Sequence, residues 1–116
     1  MVQITMQLPD QLAGQVLPAR RWLPVLLEMS LARFKTSAAE TSAEIIDFLL
    51  SNPTPGEVLA YHASNRAQHR LQRLLALNEA GLLSEEEQAE LAELERLEHI
   101  VIMFKAQVSE QTWQGN

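Results

Sequence analysis

Close to its start, this sequence has a polar side chain at every second position: Gln3, Thr5 and Gln7. They alternate with three apolar residues, Ile4, Met6 and Leu8. The alternation stops at Pro9. Successive side chains of an extended backbone point to opposite faces, so amide and hydroxyl groups line one face and apolar groups the other. These residues offer hydrogen bonding through neutral groups rather than acid–base catalysis.

Residues 3–9 are the one convincing strand that the sequence predicts. A strand without a neighbour in its own chain leaves its backbone N–H and C=O groups unpaired. We therefore expect the same strand of a second copy to pair with it about a twofold axis, as an antiparallel ribbon. This ribbon would make the protein a homodimer, and Ile4, Met6 and Leu8 would form its apolar face.

Side chains that often catalyse reactions are present, but their arrangement is not catalytic. His62 and His69 are seven residues apart, whereas zinc ligands on one helix favour spacings of three or four. The glutamates between Glu85 and Glu95 surround the start of a predicted helix, where negative charge is favourable. The sequence has no nucleophile–base order and no glycine-rich phosphate loop. We expect no enzyme activity, no metal site and no cofactor.

Composition limits the class of protein further. The chain has 116 residues, enough for one domain, and it has no cysteine, which excludes disulfides and fits a reducing cytoplasm. The longest apolar run, Ile100–Phe104, is far shorter than the roughly 20 residues that span a bilayer. Net charge is −6, but residues 1–36 carry four basic and two acidic side chains. We therefore expect a cytoplasmic protein without a membrane segment, with a mildly basic head on an acidic body.

Apolar spacing and capping signals predict a mainly α fold after the strand. The sequence predicts helices at about Gln11–Leu17, Ala19–Phe34, Ser64–Glu79 and Glu85–Val108. Two further helices are predicted to start after Thr41 and after Thr54. Capping boxes, in which a hydroxyl is followed three residues later by glutamate, are predicted at Thr41, Thr54 and Ser84. The spacing within Ala19–Phe34 assigns Leu27 and Leu31 to its core face. Gly81 is expected to end a helix in the left-handed conformation.

Residues Ser64–Val108 predict a helical hairpin whose second helix has more apolar surface than one neighbour can cover. The predicted partner-binding residues on that helix are Leu97, Ile100, Val101 and Phe104, with Ile102 and Met103 widening the stripe. The predicted organisation is a head at 1–36, a helical region at 37–108 that ends in the hairpin, and a frayed tail at 109–116.

The order of strand, capped short helix and longer helix resembles the ribbon-helix-helix family of DNA-binding proteins, the MetJ- and Arc-like group. The resemblance covers about the first 35 residues. It implies that the ribbon enters the major groove and that Gln3, Thr5 and Gln7 bind base edges. It also implies that backbone N–H groups near Ala19, with Arg20 and Arg21, hold a phosphate. A ribbon that only dimerises is the alternative.

The segment Leu74–Leu91, with Leu-Leu, Asn78, Gly81, Ser84 and Glu-Leu at matching intervals, resembles a group of small cyanobacterial proteins. These proteins often join an antitoxin-like strand to such a hairpin, and the resemblance covers roughly residues 45–108. In toxin–antitoxin pairs, the ribbon-helix-helix head represses the operon and the carboxy-terminal segment covers the toxin. An apolar stripe on the last helix would suit that second task.

The sequence thus predicts an antitoxin-like or autoregulatory protein that binds operator DNA as a homodimer and binds a toxin or another protein through its hairpin. The alternative is a small non-enzymatic adaptor or assembly protein that uses the ribbon and the last helix only for protein contacts.

Overall fold

The structure is a computed structural model that describes the backbone of residues 1–114 and the side chains of residues 1–109. It confirms a mainly α fold. Six α-helices and one 3₁₀ helix follow one another in the described part: α1 (Asp10–Val16), the 3₁₀ helix (Leu17–Trp22), α2 (Leu23–Ala32), α3 (Ala38–Leu50), α4 (Pro55–Ala60), α5 (Asn65–Glu79) and α6 (Glu85–Gln114).

The predicted N-terminal strand, and with it the intermolecular ribbon, is wrong. Residues 1–9, which we call the amino-terminal arm, form neither helix nor strand, and no strand occurs anywhere in residues 1–114. The expected inner face of the ribbon is exposed, since Ile4 is 76% and Met6 60% accessible, and Leu8 is half-buried. Alternation orients side chains but supplies no hydrogen-bond partner, and within the described part of the chain no backbone hydrogen bond reaches residues 1–8.

The second predicted helix divides into two elements. Residues Leu17–Trp22 form a 3₁₀ helix that contains Pro18, and α2 begins at Leu23 with Pro24 in its first turn. Proline lacks an N–H donor, so it fits the start of a helix and interrupts the middle of one. α2 ends at Arg33, whose φ of 53° lies in the left-handed region.

Local capping signals are confirmed at three of the four predicted positions. Thr54 and Glu57 form the complete capping box of α4. Ser84 Oγ accepts from Glu87 N at 3.2 Å, and Glu87 Oε1 accepts from Ser84 N at 3.1 Å. Gly81 has a φ of 71°, and the N–H of Leu82 reaches the carbonyl of Leu77 at 2.9 Å, which completes a Schellman motif after α5.

The capping box at Thr41 is wrong. α3 begins at Ala38, so Thr41 lies inside the helix and is 9% exposed. Thr36 serves the first turn instead, because its Oγ1 accepts from Ala38 N at 3.1 Å.

The core is built on α6, and the predicted hairpin of α5 and α6 is confirmed. α3, α4 and α5 all pack against α6. The residues that share this core include Trp22, Met29, Ile45, Leu49, Val58, Leu74, Leu97 and Phe104. Trp22 meets Phe104 edge to face with ring centroids 5.9 Å apart. The 3₁₀ helix and α2 therefore belong to the same packed unit as the hairpin.

α6 continues through Gln114, beyond its expected end at about Val108. Of the tail predicted to fray, residues 115–116 lie outside the described residues.

Candidate protein-binding surfaces

The side chains expected to contact DNA do not form a common surface on an ordered element. Gln3, Thr5 and Gln7 are exposed on the unpaired arm. Arg20 lies in the 3₁₀ helix and donates from Nη1 to the carbonyl of Leu17 at 3.1 Å. The guanidinium of Arg21 stands 5.0 Å from the ring centroid of Trp22, a cation–π contact. Both arginines thus have contacts within their own chain.

Three of the four residues expected to bind a partner lie in the core. Leu97, Ile100 and Phe104 are exposed by only 0–3%, because α6 turns this face toward α3, α4 and α2. Val101 is half-buried at the edge of the core. Among the described side chains of α6, the large apolar ones that stay exposed are Ile102 at 56% and Met103 at 55%.

An apolar surface that the sequence interpretation missed lies on α2. Trp22 and Met29 turn inward, whereas Leu27 is 52% and Leu31 77% exposed on the other side of the helix. We call Leu27 and Leu31 the outer face of α2. The signal in the sequence was composition: Glu28 is the only charged residue of α2, and a helix that is apolar on all sides needs contacts on all sides.

A groove of about 350 Å³ opens between α3, α5, α6 and the loop after α4. Its apolar lining is formed by Ile45, Tyr61, Leu71, Leu97, Val101 and Ile102, and we call it the apolar groove. Glu98 and Lys105 also line it, so the groove carries both signs of charge. Burial raises the pKa of the Tyr61 phenol, and Glu44 adds to that rise, so the ring meets the groove as a neutral group.

A second cleft of about 350 Å³ between α3 and α5 is charged, but its three arginines are balanced by three glutamates. Arg70 donates from Nε to Glu90 Oε2 at 2.7 Å and from Nη2 to Oε1 at 3.0 Å. The hydrogen bond from Arg70 holds the pKa of the Glu90 carboxyl below its ordinary value, although burial opposes this. Arg66 lies 3.7 Å from Glu40 on the exposed side. This arrangement fixes α5 against α6 and leaves no charge surplus that would select a ligand.

Glu93 on α6 accepts hydrogen bonds from the residues just before α3. Its carboxylate accepts from the backbone N–H groups of Lys35 and Thr36 at 3.1 Å and from Thr36 Oγ1 at 2.8 Å. Burial raises the pKa of Glu93, but these donors together outweigh burial and lower it. The contact is structural, since it satisfies donors that precede a helix.

Two further findings concern metal sites and membrane-spanning helices. The described side chains contain no group of three or more histidine, aspartate or glutamate residues that could hold a metal ion. None of the described helices has the length and apolar character needed to cross a bilayer.

Comparison with known proteins adds no relative: no family model, no curated protein and no solved structure matches this chain.

Proposed function

We propose that this protein is a non-enzymatic adaptor or assembly protein, which binds another protein through apolar surface in its amino-terminal third. The outer face of α2 carries this proposal. Leu31 is 77% exposed, and Leu27 lies one turn before it on a helix whose opposite side is already in the core. An apolar patch on an ordered helix is typical of a protein-binding site.

The two elements before α2 carry further exposed apolar side chains. Leu12 is 42% and Leu17 54% exposed, and both precede α2 in the amino-terminal third. No side chain of α1, all of which are described, is buried. A helix of seven residues is too short to be stable in water by itself, so α1 would gain order from a partner that covers it.

The DNA-binding interpretation has lost its main support. It needed a paired strand to present Gln3, Thr5 and Gln7 to base edges, and the described residues contain no strand. The net charge of −6 also opposes binding to a polyanion. The adaptor interpretation also used the ribbon, but contacts between proteins require neither a paired strand nor a basic surface. A toxin is one class of partner that an apolar helix face would suit.

Crosslinking within the producing cells tests the proposal. A photoactivatable amino acid at position 31 should give one discrete crosslinked species, whereas the same amino acid at position 95, on the exposed side of α6, should give none. Crosslinks of equal yield at both positions, or none at position 31, would contradict the proposal.

A matched pair of variants then tests the energetics. Leu27→Ser with Leu31→Ser should abolish the crosslinked complex while the circular dichroism spectrum and the urea midpoint stay unchanged, because both side chains are exposed. Leu82→Ser is the control, since Leu82 is 68% exposed on a turn remote from α2 in sequence. The control should retain the complex.

A gel shift on the upstream region of the gene tests the competing interpretation. Salt-sensitive binding of duplex DNA that is lost in a Gln3→Ala, Thr5→Ala, Gln7→Ala variant would restore the regulator and displace the adaptor. We expect no such shift.

A further inference from the structure

The amino-terminal arm and the apolar groove are complementary parts of one molecule that do not meet within it. The arm carries Val2, Ile4 and Met6 at 60–89% exposure. The groove, between α3, α5 and α6, is an apolar depression of about 350 Å³. We propose that the arm of one copy occupies the apolar groove of a second copy, and that the second copy returns the same contact.

The dimensions of the two parts agree. The groove follows α6 from Leu94 to Lys105, about 16 Å at 1.5 Å per residue. The apolar residues Ile4, Met6 and Leu8 span about 13 Å in an extended backbone at roughly 3.3 Å per residue. Pro9 has φ −55° and ψ 146°, so the arm leaves α1 in the extended conformation that this contact needs.

Polarity and charge also agree. Residues 1–9 contain no charged side chain, and the groove is lined by one acidic and one basic residue, Glu98 and Lys105. Two bodies with a net charge of −6 repel each other at close range. A neutral arm reaches across without bringing those bodies face to face.

The buried area reaches the lower part of the range for a stable dimer. Covering Ile4, Met6 and Leu8 on each of two arms, together with the groove surface beneath them, removes roughly 700–1,400 Å² from water. Stable specific interfaces bury about 1,200–2,000 Å². The exchange is isologous, because each copy gives an arm and receives one, so it closes at two copies.

This inference rests on the proposed function as a protein-binding protein and names the partner of one surface. The experiment measures the mass of the full chain by sedimentation equilibrium over a range of concentrations. We expect a reversible dimer. Ile4→Asp with Met6→Asp should raise the dissociation constant about tenfold or more, because the docked carboxylates would be desolvated without partners. Gln3→Asp with Gln7→Asp adds the same charge to the other side of the arm and should keep the dimer.

A matched pair of single substitutions tests the apolar groove. Ile102 lines the groove and Met103 does not, although they are adjacent and are 56% and 55% exposed. Ile102→Asp should weaken the dimer about tenfold or more, and Met103→Asp should leave it unchanged. Circular dichroism of each variant checks that the fold is intact.

Mixing the variants gives the sharpest readout. The Ile4→Asp, Met6→Asp protein has an intact groove, and the Ile102→Asp protein has an intact arm. Equal amounts should form a heterodimer through one arm–groove contact, although neither protein dimerises well alone. A dimer that uses α2 would respond to Leu27→Ser and Leu31→Ser instead, and would overturn the proposal.

A wild-type chain that is monomeric at every concentration also overturns arm exchange, including the case in which the arm folds back onto its own groove. That result leaves crosslinking at position 31 unaffected. Conversely, a dimer with the expected variant pattern and no crosslink at position 31 would contradict the adaptor surface on α2 while supporting arm exchange.

Discussion

The amino-terminal arm and α6 both carry apolar side chains at regular intervals, and they bury them to opposite extents. On α6, Leu97 and Phe104 are at most 1% exposed, whereas on the arm Val2 and Ile4 are at least 76% exposed. The difference lies in what surrounds each pattern. α6 meets α3, α4 and α5 within its own chain, whereas Val2, Ile4 and Met6 of the arm stay exposed. A regular apolar pattern therefore indicates that the segment packs against another surface. It does not indicate whether that surface belongs to the same chain.

The largest expected effect separates the two regions directly. Phe104→Ala should lower the free energy of unfolding by about 3–5 kcal/mol, because Phe104 is fully buried against Trp22 and Tyr61. Ile4→Ala should change it by less than about 0.5 kcal/mol when the single chain predominates. Urea unfolding at low protein concentration measures both. A large loss in Ile4→Ala would mean that the arm packs within its own chain.

The second expected effect tests the ion pair between α5 and α6. Arg70→Leu should cost about 1–3 kcal/mol, because it removes both guanidinium donors from the Glu90 carboxylate, and Glu90 is 7% exposed. Arg66→Leu, one turn earlier on α5, is the matched control. Arg66 and Glu40 are mostly exposed and 3.7 Å apart, so the control should cost less than about 1 kcal/mol. Equal costs in thermal or urea unfolding would show that the Arg70 pair is also solvent-screened.

A smaller effect is expected from pH. The pKa values of Glu90 and Glu93 are lowered in the folded chain from an ordinary value of 4.5. The stability that these carboxylates contribute is therefore fully present well above pH 4.5 and is lost as pH falls below it, through the folded pKa values. The loss should be smaller than in Arg70→Leu, since a protonated carboxyl still accepts hydrogen bonds.

Urea midpoints measured between pH 7 and pH 3 follow this loss. A Glu90→Gln, Glu93→Gln variant should be less stable at pH 7 and should lose less on acidification. Parallel curves for the variant and the wild type would remove these two carboxylates from the explanation.

The smallest expected effect concerns two glycines. Gly81→Ala should destabilise the chain by about 1 kcal/mol, since alanine disfavours left-handed backbone, and Gly81 has a φ of 71° with open space around it. Gly14→Ala, inside α1, should raise helicity without moving the urea midpoint, because α1 is outside the core. A raised midpoint would show that α1 unfolds together with the helices of the core.

The sequence predicts well those features whose interacting groups are close together along it. The capping boxes at Thr54 and Ser84 and the left-handed turn at Gly81 satisfy backbone groups within a few residues, and the structure confirms them. The hairpin of α5 and α6 follows because its two helices are consecutive. Thr41 has the same spacing to Glu44 as Thr54 has to Glu57, yet it lies inside a helix. The backbone N–H groups of Lys35 and Thr36, just before α3, are satisfied by Glu93, more than fifty residues away, which no local pattern shows.

The candidate surfaces were harder to predict for a related reason. Leu27 and Leu31 satisfy the 3/4 spacing of a core face as well as Trp22 and Met29 do, because α2 is apolar on all sides. The choice between the two faces depends on the position of Phe104 in the fold. On α6 the stripe was recognised, but Leu97 and Phe104 were assigned to a partner, because the contributions of α3 and α4 to covering it are not visible in the sequence.

The arrangement of the core on α6 has a consequence for synthesis of the chain. Helices α3, α4 and α5 all pack against α6, and α6 follows them along the chain, so it is translated after them. A nascent chain that ends before Glu85 thus lacks the helix against which α3, α4 and α5 pack, so cooperative folding has to wait for α6. During that interval the chain is a substrate for chaperones that recognise exposed apolar segments.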